Sequence, residues 1–280
     1  MVRDYHGGEI KEKIAYDFSV NVHPWGMPDY VKTAILESVD SLSEYPDRFC
    51  LALREQIGQQ EGLATEQILC GNGASELLMA ICAAFSQGKR LKAVVGVPTF
   101  SGYERAVKAF GGTVQVVPYE NIYGKGYGKG TFDFEKELFS CEKGDFNGEN
   151  MIFLCNPNNP TGEVMEKNAM LQLVEEAEKR NTYVVVDECF LPFTKEDSVV
   201  NYVNQYSNLI VLKAFTKYYG LAGVRLGYIC ATQAICDRIS KFLPEWNVSA
   251  VAQKAGIAAL QDKEKLETWK RNTWEVALLE

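Results

Sequence analysis

Six short apolar runs rich in β-branched residues, set apart by stretches of helical period, constrain the fold of this chain more than any other feature. They cover residues 93–97, 113–117, 151–155, 183–187, 209–213 and 227–231. Each has the length of a strand and shows little polar alternation, as a strand buried on both faces requires. Between them, 75–85, 103–110 and 167–180 carry apolar residues three or four apart, the spacing of one helix face. Strands that alternate with helices in this way build crossover units. The expected fold class is therefore α/β, with a mainly parallel central sheet between helices. Ligands of such sheets bind beyond the carboxyl ends of the strands, so chemistry is sought just after each run.

At 280 residues, 46% hydrophobic and 24% charged, the chain has material for one large domain and an appendage. A net charge of −8 supplies no basic stripe for a phosphate backbone, so a small metabolite is the expected partner and nucleic acid is not. The start, Met1-Val2-Arg3-Asp4-Tyr5-His6, lacks the apolar core of a signal peptide, and no apolar run approaches the ~18 residues that span a bilayer. A cytoplasmic protein with no membrane partner is expected. Cys50, Cys70, Cys82, Cys141, Cys155, Cys189, Cys230 and Cys236 form no C-x-x-C pair, and His6 and His23 are the two histidines available to join them. They read as reduced, mostly buried small hydrophobes, with no metal site.

The alternating glycines of 124–130 suggest a nucleotide loop, but the third glycine of a dinucleotide fingerprint falls on Lys129 or Thr131. A surface loop is expected there. Residues 261–280 read as an amphipathic helix with Leu266, Trp269, Thr273 and Ala277 along one side. The chain stops there without a capping glycine, which suggests truncation.

Four motifs carry candidate chemistry. Asp187-Glu188 closes the run 183–187; alone, such a pair serves as well for a helix cap or a magnesium ligand. Phe215-Thr216-Lys217-Tyr218-Tyr219-Gly220 sets a lysine among aromatic and small residues, with Arg225 eight positions on. Such surroundings would desolvate the amine and lower its pKa toward imine chemistry. Asn156-Pro157-Asn158-Asn159-Pro160-Thr161-Gly162 has the residues of a tight turn. Gly71-Asn72-Gly73-Ala74-Ser75-Glu76 opens a helix whose N–H groups can hold a phosphate or form an ordinary cap.

In order and separation these motifs resemble those of the class I and II aminotransferases over nearly the whole chain. The resemblance implies a pyridoxal 5'-phosphate (PLP) enzyme of fold type I, with a large PLP-binding domain at 36–245. An N-terminal arm, 1–35, would belong with an incomplete small domain that starts at 246 and runs to 280. By the same resemblance Lys217 carries the cofactor as a Schiff base, Asp187 pairs with the pyridine nitrogen, and Asn159 reaches the phenolic oxygen. Phe100, in Pro98-Thr99-Phe100-Ser101-Gly102-Tyr103, would stack on the ring. Gly73, Ala74 and Ser75, with Thr216 and Arg225, would grip the phosphate, and Tyr45 would reach the phosphate of the neighbouring subunit in a homodimer. The chemistry agrees: a carboxylate beside the pyridine nitrogen keeps it protonated and able to draw electrons from the substrate Cα. Two positions depart from the family pattern. Ala214 stands where a phosphate-binding serine or threonine is usual, and Phe190 where a tyrosine often follows the acidic pair.

Within the family, the resemblance is to histidinol-phosphate aminotransferases and to threonine-phosphate decarboxylases of cobalamin synthesis. His6-Gly7-Gly8, the stretch from Asp187 to Phe193 and that from Pro244 to Gln253 lean toward the decarboxylase, which converts L-threonine O-3-phosphate to aminopropanol phosphate. The transaminase is the alternative, and a non-catalytic scaffold of the same fold is a third reading. The substrate would be a phosphorylated amino acid or amine, with His6 on its phosphate and Asn21 and Asn159 nearby. Taken alone, His6 reads equally as an N-terminal surface residue. In relatives the arginines that clamp the substrate lie in the small domain beyond this chain's end, so these 280 residues are expected to bind PLP and turn over poorly.

Overall fold

The computed structural model describes residues 19–118, 122, 149–261 and 263–277; His6, Cys141, the glycine-rich stretch 124–130 and the last three residues lie outside that set. Seven strands are described: β1 (Ile68–Gly71), β2 (Leu91–Val97), β3 (Thr113–Pro118), β4 (Glu149–Cys155), β5 (Thr182–Asp187), β6 (Leu209–Ala214) and β7 (Gly227–Cys230). They form one sheet in the order β1-β7-β6-β5-β4-β2-β3. β2 to β6 run parallel, while β7 is antiparallel to both β6 and β1. All six apolar runs are strands of this sheet. β1 is the addition.

Eight helices cover the sheet among the described residues: α1 (Asp29–Glu37), α2 (Leu51–Glu61), α3 (Ala74–Ser86), α4 (Gly102–Ala109), α5 (Lys167–Lys179), α6 (Gln233–Ser240), α7 (Ala250–Gln261) and α8 (Lys263–Ala277). Among the described residues, no helix is long and apolar enough to cross a membrane. The expected helices coincide with α3, α4, α5 and, at the C-terminus, α8. Of the last, Leu266 and Thr273 are buried, as the expected apolar side requires.

Two apolar cores lie on the two faces of the sheet. Leu53 and Ile57 of α2, Met170 and Val174 of α5 and Ala255 of α7 belong to one. Leu77 and Ile81 of α3 and Tyr103 of α4 belong to the other. β5 supplies both: Val184 and Val186 enter the first core and Val185 the second. This period of two sets the direction of every side chain at the strand's end. The seven described cysteines are buried and not disulfide-bonded.

Candidate active site

Asp187 ends β5 on the α4 side of the sheet. Its carboxylate, 6% exposed, accepts a hydrogen bond from the Tyr103 hydroxyl at 2.8 Å and another from the Cys189 backbone N–H at 3.0 Å. Burial pushes its pKa up, while hydrogen bonds from Cys189 and Tyr103 and the charge of Lys217 pull it down. Tyr103 is fixed in turn: its ring stacks on Phe153 at 5.3 Å and meets Phe100 edge-on at 5.5 Å. The sequence motif that offered Phe100 as a stacking ring thus also supplies a partner for the acid. The signal was the tyrosine's place one helical turn beyond Phe100.

Lys217 lies just beyond β6, in a loop held from two sides. Its carbonyl accepts a bond from the His23 N–H at 3.1 Å, and the next carbonyl, of Tyr218, accepts one from Trp269 Nε1 at 3.1 Å. Gly220, at φ +62°, has the Gly26–Met27 backbone pressed against it, where a Cβ would meet Met27 N at 2.9 Å. The amine is half-buried, and desolvation lowers its pKa; Arg225 adds to that effect, while Cys189 and Asp187 oppose it. Its Nζ lies 5.6 Å from the centre of the Phe190 ring. An amine so placed is closer to its neutral, nucleophilic form than a lysine in water.

The third element is the turn from β1 into α3. Gly73, at φ +82°, caps α3, and a Cβ there would fall 2.6 Å from Arg225 Nη2. Gly227 likewise leaves room for the same turn, since a Cβ on it would sit 2.8 Å from Ala74 N. The Arg225 guanidinium therefore lies against the amino end of α3, where Ala74 and Ser75 begin the helix. Helix-start N–H groups beside a guanidinium form a phosphate cradle. Thr216, half-buried, flanks Lys217.

A cleft of about 430 Å³ is lined by Val20, Asn21, Asn158, Asn159, Phe193 and Phe190, the ring that the Lys217 amine approaches, among others. The structure separates the two adjacent asparagines. Asn158 is buried and braces two loops: its Oδ1 accepts from Thr99 Oγ1 at 2.7 Å, and its Nδ2 donates to the Pro98 carbonyl and to Thr161 Oγ1, both at 3.0 Å. Asn159 faces the cleft with Asn21. Tyr45 is set apart, 82% exposed with its ring packed on Trp246 at 4.8 Å. Asp187, Lys217, Arg225, Gly73, Phe100 and Asn159 thus come to one end of the sheet. Sequence reasoning missed Tyr103, Asn158 and Phe193.

The sequence pattern of the family described as aminotransferase class I and II matches residues 13–276. The chain belongs to that family. The family's cofactor is PLP. A protein of Caldanaerobacter subterraneus named for threonine-phosphate decarboxylase activity is 35% identical over 94% of this chain and 69% of its own length. An adenosylcobalamin biosynthesis bifunctional protein of Leptospira interrogans is 32% identical over 98% of this chain, which spans 32% of that longer protein. In structure, the histidinol-phosphate aminotransferase of Clostridium acetobutylicum superposes with a TM-score of 0.74 at 26% identity, covering 91% of this chain and 71% of its own. The residues present fit the family's cofactor: a buried carboxylate with hydrogen-bonding capacity left, a desolvated amine, an aromatic ring at Phe100, and a phosphate cradle that a Cβ at position 73 would fill.

Proposed function

We propose that this aminotransferase-family chain binds PLP through Lys217 and acts on a phosphorylated amino acid or amine, with decarboxylation of L-threonine O-3-phosphate as the reaction it fits best. The observation that carries the reading is the half-buried Lys217 amine, its pKa lowered by desolvation, facing Phe190 beside a cleft that holds Asn21 and Asn159. When bound, the cofactor supplies an electron sink for the substrate Cα. The chain's own residues do the rest. Asp187, held by Tyr103 and Cys189, would keep a proton on the pyridine nitrogen, and Asn159 would orient the ring through its phenolic oxygen. Gly73, Ala74, Ser75, Thr216 and Arg225 would hold the phosphate.

The stretch from Asp187 to Phe193, which lends Phe190 and Phe193 to the cleft, is one of those that lean toward the decarboxylase and supports decarboxylation. The likeness to the Caldanaerobacter protein supports the same reading. Transamination of histidinol phosphate is the second reading, supported by the likeness to the Clostridium enzyme.

A homodimer is part of the proposal. Leu36, Val39, Leu42, Tyr45, Phe49 and Leu51 are large apolar residues exposed along one stretch of chain, and a second copy would cover them. Tyr45 would then reach the partner's phosphate. The test is direct: PLP added to the protein should give an absorbance band near the visible edge that is absent in Lys217→Ala, and phosphothreonine should release CO2. Amino transfer from histidinol phosphate to 2-oxoglutarate without CO2 release would select the second reading. Absence of PLP binding would overturn both and leave a scaffold of this fold.

A further inference from the structure

Asn158 sits where the loops that follow β2 and β4 meet. It is 2% exposed, and its amide has a partner for both of its hydrogens. One Nδ2 hydrogen goes to the Pro98 carbonyl and the other to Thr161 Oγ1, both at 3.0 Å, while Oδ1 accepts from Thr99 Oγ1 at 2.7 Å. A carbonyl can only accept, so the atom that faces Pro98 is the nitrogen and the amide has one orientation. Aspartate has the same shape but would set a second oxygen against that carbonyl.

The partners on each side adjoin a residue that the proposed function sets on the cofactor ring. Thr99 precedes Phe100, whose own ring folds back over the start of α4, where a Cβ on Gly102 would collide with Phe100 Cε1. That ring meets Tyr103 edge-on at 5.5 Å, and Tyr103 holds Asp187. On the other side Asn158 opens the turn that carries Asn159. Its N–H donates to the Glu163 carbonyl at 2.8 Å, and its carbonyl accepts from the Gly162 N–H at 2.7 Å, with Gly162 at φ +74°. At the base of the same loop the Asn156 N–H donates to the Asp187 carbonyl at 2.8 Å, and the Asn156 amide pairs with both backbone groups of Met165. The Asn159 turn is thus closed on itself, tied to the end of β5 through Asn156 and to the β2 loop through Asn158.

We propose that Asn158 is a positioning residue, which fixes the spacing between Phe100 and Asn159 and so shapes the slot that takes the cofactor ring. The inference rests on the PLP reading above. In that reading Phe100 meets the face of the ring and Asn159 its phenolic oxygen, two contacts that come from separate loops. A rigid planar ring gains both only while the loops keep their spacing. Asn158 acts through its neighbours: one planar amide, bonded on both sides, sets the distance between the two backbones. Its burial makes the setting stiff, because any shift of either loop leaves a buried donor or acceptor unpaired.

The experiment is a mutant cycle on the full chain, read by PLP affinity in absorbance titration and by inorganic-phosphate affinity in calorimetry. Asn158→Asp should weaken PLP binding about tenfold. It should leave phosphate affinity within about twofold, because Gly73 and Arg225 are untouched. Phe100→Leu and Asn159→Ala should each weaken PLP binding too, and adding Asn158→Asp to the two together should cost less than about twofold more, since the contacts it spaces are gone. Thr99→Val removes one arm and leaves the amide in place; it should show part of the same selective loss, and it decides the case if Asn158→Asp does not fold. Unchanged PLP affinity in these variants, a loss of phosphate affinity as large as that of PLP, or full additivity in the cycle would each overturn the proposal while the PLP reading stands. Absence of PLP binding by the unaltered chain would overturn both.

Discussion

Tyr103→Phe tests whether the acid of the site is tuned from α4. The substitution removes one oxygen and leaves the ring, so stacking on Phe153 and the edge contact with Phe100 survive. What disappears is the 2.8 Å hydrogen bond to the Asp187 carboxylate. A hydrogen bond to a charged group contributes about 1.5–3 kcal/mol. If the whole loss reached the ionised carboxylate, and through it the protonated pyridine, PLP would bind about 10- to 100-fold less tightly. The Cys189 N–H remains, and a carboxyl that takes up a proton escapes part of the loss, so about tenfold near neutral pH is the expected figure. The pH dependence is more telling. Burial already holds the Asp187 pKa up; without the tyrosine hydroxyl it rises further, and the acid edge of PLP retention moves to higher pH. PLP affinity measured by absorbance titration at several pH values checks both. Equal affinity within twofold and a coincident acid edge would refute the assignment of Tyr103 as the residue that positions and tunes Asp187.

Gly73→Ala should weaken phosphate and PLP binding at least tenfold in calorimetric titration, because the Cβ meets Arg225 Nη2 at 2.6 Å and the backbone is left-handed there at φ +82°; unchanged affinity would mean that the cradle lies elsewhere. Lys213 bridges Glu61 at 2.9 Å and Glu188 at 3.5 Å, all three largely buried, so Lys213→Met should cost about 3–5 kcal/mol in urea unfolding by leaving two uncompensated carboxylates. His23 is buried, and its pKa is lowered by desolvation. Its Nε2 meets Thr273 Oγ1 at 2.9 Å, while that hydroxyl donates to the Trp269 carbonyl, so Nε2 carries the proton and Nδ1 accepts from the Trp25 N–H. As pH falls below about 6.5 the unfolded chain takes up a proton that the folded one refuses, and stability drops by up to about 1.4 kcal/mol per pH unit. His23→Gln, which keeps a donor for Thr273, should flatten that slope in urea titrations, and an unchanged slope would assign the acid sensitivity to another group.

The sheet was legible because most of its strands are buried on both faces, and short β-branched runs set between stretches of helical period mark such strands; β3, an edge strand with Val116 exposed, kept the β-branched signal alone. β1 escaped because its four residues, Ile68 to Gly71, merge with the glycine motif that follows and pair antiparallel with β7 at the end of the sheet. Lys217, Asp187, Asn159 and Arg225 stand in motifs that follow the strands, and the roles proposed for them come from the family resemblance those motifs carry. Tyr103 could not be assigned its role, since its bond to Asp187 spans 84 residues and depends on how α4 packs. The pair Asn158-Asn159 is one turn motif in sequence, and only the fold turns the first into a buried brace and leaves the second at the cleft. His23 has no role that the sequence alone assigns. Its bond to Thr273, 250 residues away, makes it a clasp between the N-terminal segment and α8.

The acidic pair shows how little sequence separates cofactor chemistry from structural charge. Val184, Val185 and Val186 alternate between the two cores, so Asp187 must follow Val185 to the α4 face, and Glu188 is left to the other. The partners are sorted by the same period. Phe153 and Cys155 of β4 point to the side of Asp187, whereas Lys213 follows Leu209 and Val211 of β6 to the side of Glu188. Glu188 there accepts from Ser198 and the Val199 N–H, beside the Lys213 ammonium. Parallel pairing of β5 with β4 and β6, Cys155 opposite Asp187 and Asp187 opposite Leu212, fixes the register on both sides. A slip of one residue would exchange the two acids, placing Glu188 before the cofactor and Asp187 before Lys213, and would send every valine of the strand to the wrong core. The apolar residues that give β5 its stability are therefore also what turns Asp187, the acid proposed for the site, rather than its neighbour, toward Tyr103.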